Sequence, residues 1–185
     1  MTRKQADRNL LFLTGPKHAG KTSAGRELAL RAGGVFIDLD ELAEEMTGKN
    51  PRALYQEGGP ARFQEAEYAA LQDAVRRAAP GLTVVAAGGG ISDNPGAMAF
   101  LTSAGGRIVC LEVSAATAWE RIRAGGTLPP FLATPCPVET HRRLHERRSA
   151  AYRKAAHIII HAEGRDPEWI SREIAARLCI LPDAP

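Results

Sequence analysis

Short apolar runs alternate with stretches of helical periodicity along the whole chain. Leu10–Thr14, Val35–Ile37, Thr83–Ala87, Arg107–Val113 and His157–His161 are dense in Val, Ile, Leu and Phe and too short for buried helices, so they predict strands. Between them, apolar positions recur at helical spacing over Lys21–Arg31, Leu39–Thr47, Pro60–Ala79, Pro95–Ser103, Ala115–Arg123, Glu139–Ala155 and Pro167–Leu178. Strand–helix alternation of this kind predicts an α/β fold, a mainly parallel sheet with helices on both faces. Gly125–Val138 breaks the pattern with Pro129, Pro130, Pro135 and Pro137. That composition excludes helix and central strand there, and the stretch is expected to be a lid loop over a site at the strand ends.

The first chemical signal sits between the first strand and the first helix. Gly15-Pro16-Lys17-His18-Ala19-Gly20-Lys21-Thr22 fits the phosphate-binding pattern G-x-x-x-x-G-K-[ST]. The glycines let backbone N–H groups turn inward toward phosphate oxygens, and the helix adds its unpaired N–H groups and dipole. Lys21 can reach the β- and γ-phosphates, and the Thr22 hydroxyl can ligate Mg²⁺. A nucleoside triphosphate is the implied ligand.

Two further features follow the second and third strands. Asp38 and Asp40 stand two residues apart at a strand end, spacing that directs both carboxylates to one side. One can support Mg²⁺ beside Thr22, and the other can accept a hydroxyl proton. Asp40 acting only as a helix cap is the plainer alternative. The glycine run Gly88-Gly89-Gly90 ends a buried strand, where backbone without side chains can approach a ligand closely.

Composition narrows the picture without redirecting it. The chain has 185 residues, a length suited to one α/β domain. A net charge of +3 is too small to argue for a nucleic-acid partner, and the basic run His141–Arg148 lacks interleaved aromatics. Cys110, Cys136 and Cys179 are far apart and fit no disulfide or zinc framework. No apolar stretch approaches the ~20 residues of a membrane span, and no signal-peptide core opens the chain. A cytoplasmic protein with no membrane or nucleic-acid partner is expected.

In order along the chain, GPKHAGKTSAGRELA, FIDLDELAEEMTGK, AAGGG followed by Asn94-Pro95, IVCLEVSAATAWERI, ERRSAAYRKAAHIII and the GRDP turn resemble the shikimate kinase family from about Leu10 to Leu178. The resemblance implies one P-loop NTPase kinase domain over residues 1–185, a three-layer α/β/α fold with a five-stranded parallel sheet and a lid at about 125–138. It implies transfer of the γ-phosphoryl group of ATP to a ring hydroxyl of a small acceptor by a monomer. Carried over by position, Gly15, Gly20, Lys21, Thr22 and Ser23 hold the nucleotide phosphates, with Arg121 and Arg165 on the adenine side. Thr22 and Asp38 serve Mg²⁺, Lys21 and Asp40 are catalytic, and Asp40, Gln64, Gly88, Gly89, Gly90 and Arg148 meet the acceptor.

The departures concern the acceptor. The family carries G-E-x-x-F-R before its long third helix, whereas Gly59-Pro60-Ala61-Arg62-Phe63-Gln64 stands here. The family's lid reads R-P-L-L, whereas Pro129-Pro130-Phe131-Leu132 stands here, with no Lys or Arg between Arg123 and Arg142. Two cations expected around an acceptor carboxylate are therefore replaced. Shikimate is expected to be held weakly, under an apolar lid. A module that keeps the fold and only senses a nucleotide or other ligand is the competing class. The presence of Lys21, Thr22, Asp38 and Asp40 argues against it.

Overall fold

The computed structural model describes residues 9–126 and 128–180. Five strands, β1 (Asn9–Thr14), β2 (Val35–Asp38), β3 (Leu82–Ala86), β4 (Arg107–Glu112) and β5 (Ile158–His161), form one all-parallel sheet in the order β2-β3-β1-β4-β5. Alternation along the strands builds two cores. Leu10 and Phe12 of β1 face one apolar layer with Leu39, Leu42, Leu71, Leu101 and Tyr152, while Leu11 and Leu13 face the other with Leu28, Ile170 and Ile174. Parallel strands buried on both faces explain why the runs read as almost continuously apolar.

The helices are α1 (Lys21–Arg31), α2 (Leu39–Thr47), α3 (Pro51–Arg77), α4 (Pro95–Ser103), α5 (Ala115–Ala124), α6 (Pro137–Ala155) and α7 (Pro167–Leu178). Four of them begin with Pro in the first turn, where its missing N–H costs nothing, and Asn50, Asn94 and Asp166 cap three of those. Among the described residues no helix is long and apolar enough to cross a membrane.

Two sequence expectations need correction. The third helix does not start at Pro60. A segment beginning at Pro51 precedes it, and the two meet at a kink where Gly58 (φ −139°) and Gly59 (φ 66°, ψ −160°) leave helical geometry. The Gly59 conformation is open to glycine and closed to L side chains, and Pro60 then restarts the helix. The lid stretch is not free of helix either. A 3₁₀ turn spans Pro130–Leu132, and α6 begins at Pro137, inside the predicted loop. Proline at the first helical position permits both starts. Thr127, within the predicted lid, lies outside the described residues.

Candidate active site

The carboxyl ends of β1, β2 and β3 open onto a cavity of about 780 Å³. Its floor begins with the loop between β1 and α1. Gly15 adopts φ 136°, and a β-carbon there would lie 2.2 Å from the Leu111 carbonyl oxygen, so only glycine lets the loop leave the sheet at this point. Gly20, at φ 95°, delivers the chain into α1, whose first turn, Lys21 to Ser23, lines the cavity. Lys21 is buried and donates from Nζ to the carbonyls of Gly15 (2.9 Å) and Pro16 (2.8 Å). Burial lowers its pKa to about 8, against the opposing pull of Asp40 and Asp38. The loop's own carbonyls thus hold the ammonium where phosphate oxygens would take it over.

Thr22 and Asp38 meet directly, with Thr22 Oγ1 donating to Asp38 Oδ2 at 2.7 Å. The geometry around the second carboxylate differs from the strand-end expectation. Asp38 closes β2 and caps α2, its Oδ1 accepting from the Asp40 N–H at 2.9 Å, so Asp40 already belongs to the helix. The helical turn, not strand alternation, brings both carboxylates into the cavity. The cap is Asp38, not Asp40. Burial, and secondarily the charge of Asp38, raises the pKa of Asp40, which moves a carboxylate toward the range useful for accepting a hydroxyl proton.

The glycine triplet touches three parts of the site. A β-carbon on Gly89 would lie 2.8 Å from the Lys17 nitrogen, one on Gly88 3.0 Å from both Asp40 Oδ1 and Glu67 Oε1, and one on Gly90 3.6 Å from Arg148 Nη2. The triplet therefore runs from the phosphate loop to the far end of the cavity. At that end, Arg148 Nε and Nη2 donate to Asp93 Oδ2 at 3.1 and 2.8 Å, and Nη1 reaches the Gly89 carbonyl at 3.3 Å. The Phe131 ring of the lid covers the guanidinium at 5.0 Å. Gln64 points to the same corner, its Nε2 donating to the Asp93 carbonyl at 2.8 Å. Arg62 instead pairs with Glu65 on the surface.

The cavity wall brings together Lys21, Thr22, Ser23, Asp38, Asp40, Gln64, Gly88, Gly89, Gly90, Arg121 and Arg148, with Gly20 at its rim. Arg121 also donates to the His18 carbonyl at 2.8 Å, tying α5 to the phosphate loop, and His18 itself holds a left-handed φ of 60°. Arg165 stands apart from this wall and stacks on Trp169 at 4.5 Å. Sequence reading missed Glu67 and Asp93 as members of the constellation, and it placed Phe131 in the apolar lid without its contact to Arg148. Glu67 is buried, accepts from Asn94 Nδ2 at 3.1 Å through one oxygen and leaves Oε1 without a partner. Its spacing of three from Gln64 on a helix was the available signal.

Against known proteins, the family profile described as shikimate kinase matches residues 17–179. The chain belongs to the shikimate kinase family. It is 36% identical to the shikimate kinase of Mycobacterium avium (strain 104) over 170 residues, covering 90% of this chain and 91% of that protein. Identity to the shikimate kinase of Pseudomonas paraeruginosa is also 36%, over 177 residues, covering 93% and 97%. The solved shikimate kinase of Acinetobacter baumannii in complex with shikimate superposes with a TM-score of 0.83 at 27% identity, covering 94% of each chain. Shikimate kinases are enzymes, and this member is a P-loop kinase.

Proposed function

We propose that this chain transfers the γ-phosphoryl group of ATP to a hydroxyl of shikimate or a similar small polyol, with Mg²⁺, in one kinase domain whose lid spans about 125–138. The observation that carries the reading is the convergence of Lys21, the Thr22–Asp38 pair and Asp40 in one cavity, with the glycine triplet leading from them to Arg148. The residues present fit the ion: a hydroxyl and a carboxylate oxygen 2.7 Å apart at the start of α1 suit a hard cation that keeps waters and phosphate oxygens as its other ligands. Mg²⁺ held there would neutralise charge on the phosphate oxygens.

The protein's own groups divide the work. The loop amides of Gly15–Thr22 and the start of α1 orient the triphosphate, and Lys21 leaves the Gly15 and Pro16 carbonyls to meet the β- and γ-oxygens. Asp40 aligns the acceptor hydroxyl and takes its proton as the new O–P bond forms and the bond to the β-phosphate oxygen breaks, releasing ADP. Gly88, Gly89 and Gly90 leave room for the acceptor ring, and Gln64 and Arg148 stand at its far side. Leu128, Pro129 and Phe131 close over it as an apolar cover that excludes water. No observation favours a purely sensing module.

A coupled assay of ADP release across shikimate, quinate, gluconate, simple sugars and inositols tests the reading. Acceptor-dependent release with shikimate or another cyclic polyol is the expected result. Release that ignores every acceptor would overturn it.

A further inference from the structure

Shikimate carries a carboxylate as well as its hydroxyls, and a carboxylate drawn into a water-poor pocket needs a cation whose charge is not already spent. The acceptor end of the cavity is poor in such charge. Lys17, Lys21 and Arg121 belong to the phosphate loop or are bonded to it. Arg148 gives both Nε and Nη2 to Asp93, a carboxylate it shares with Arg147, so its positive charge is partly offset and two of its donors are engaged before any acceptor arrives. Gln64 is neutral and commits its amide to the Asp93 carbonyl. The lid residues Leu128, Pro129 and Phe131 carry no charge.

One guanidinium on the cavity wall is uncommitted. Arg52 lies in the first segment of α3, lines the same cavity as Gln64 and Arg148, and is exposed to solvent. Among the described residues it makes no hydrogen bond and no salt bridge, whereas its neighbours Lys49 and Arg62 are paired with Glu57 and Glu65. Its segment joins the rest of α3 through the Gly58–Gly59 kink, where φ and ψ leave the helical range, a joint at which the segment would pivot over the cavity. Tyr55 and Phe63 flank it on the same wall, so closure would surround the guanidinium with apolar surface and strengthen its pull on an anion.

Resting on the proposed acceptor class, we infer that Arg52 is a specificity-determining residue: it binds the carboxylate of the acceptor, in the role that Gln64 and Pro129 cannot fill. The contact forms when the Pro51–Glu57 segment closes, and it selects anionic acceptors over neutral analogues of the same shape.

The test compares shikimate with its methyl ester, which keeps the ring and hydroxyls and removes the charge. Both are titrated calorimetrically into the Mg·ADP complex of the wild type, of Arg52→Gln, and of Arg52→Gln combined with Gln64→Arg. Loss of roughly 5–20-fold in shikimate affinity is expected for Arg52→Gln, the range for a charge-assisted contact. Ester affinity should change by less than about twofold on the same scale, and Gln64→Arg should recover part of the shikimate loss. Equal losses for both ligands would make Arg52 a structural residue and overturn the inference. So would an unchanged shikimate affinity, a wild type that prefers the ester, or one that binds neither. ADP release is followed in parallel: a wild type that binds shikimate through Arg52 and phosphorylates neither it nor any other acceptor of the panel would sink the proposed function while leaving the Arg52 assignment standing.

Discussion

Asp93 and Arg148, 55 positions apart, are joined by two hydrogen bonds from one edge of the guanidinium to Asp93 Oδ2, at 2.8 and 3.1 Å. Arg147 holds the other carboxylate oxygen at 2.9 Å, so Asp93 sits between two arginines of α6. The pair fixes where Arg148 points and lowers its attraction for an anionic acceptor.

Replacing Asp93 by Asn should therefore do two things at once. The partly buried Arg148 loses its counter-charge, which costs about 1–3 kcal/mol of stability without ligand. The freed guanidinium then binds shikimate more tightly, so shikimate raises the melting temperature of the variant by more than it raises that of the wild type. Thermal denaturation of both proteins with and without shikimate reads both effects. Identical melting behaviour would show that Asp93 neither orients nor masks Arg148.

Lys21 is the group on which the phosphate chemistry depends most. Its Nζ already sits between two loop carbonyls, so Lys21→Ala removes a charge without emptying a hydrophobic core. A loss of turnover on the order of 10²–10³-fold or more is expected, with near-native circular dichroism and weaker Mg·ATP binding by calorimetry. Normal turnover would remove Lys21 from the mechanism.

Asp38 and Asp40 are predicted to fail differently. Asn caps a helix as well as Asp does, so Asp38→Asn should keep α2 and raise the Mg²⁺ concentration needed for half-maximal rate. Asp40→Asn should lower kcat by roughly 10²–10⁴-fold at any Mg²⁺ concentration, because it removes the proton acceptor. Kinetics over a Mg²⁺ series separates the two, and superimposable curves for the variants would refute the division.

How much of this was legible in the sequence depends on the range of each interaction. The phosphate loop, the starts of the helices other than α3 and all five strands are local patterns, and each appears within one or two residues of the expected place. The strand order is not local. It follows from which faces pack, and nothing in the spacing of β2 and β3 announces that they are neighbours. The segment beginning at Pro51 escaped because it is short and polar, and only its Asn50–Pro51 start marks it. The lid's lack of charge was readable from Pro129 to Leu132, but its use of Phe131 to cover Arg148 was not, since that contact depends on where α6 places a residue 17 positions later. No local pattern marks Asp93, and only the tertiary fold joins it to α6.

Glu67 provides the pH test. Burial raises its pKa from 4.5 to about 7, with Asp40 adding to the shift and the Asn94 hydrogen bond opposing it. Because the native carboxyl holds its proton to a higher pH than the unfolded one, the folded state binds more protons between pH 4.5 and about 7. Stability from this group is therefore fully present below the unfolded pKa and is lost as the pH rises through that window. The native state then carries a buried carboxylate with Oε1 unpartnered, a liability on the order of 3 kcal/mol once the pH exceeds the folded value. Glu67→Gln keeps the shape and the carbonyl that accepts from Asn94 but has no proton to lose. Urea denaturation between pH 4.5 and 8 should show the variant gaining on the wild type as the pH rises and the difference levelling off above about pH 7. Parallel stability curves across that range would mean that Glu67 ionises in the native state as easily as in the unfolded chain, and that something other than Asn94 satisfies it.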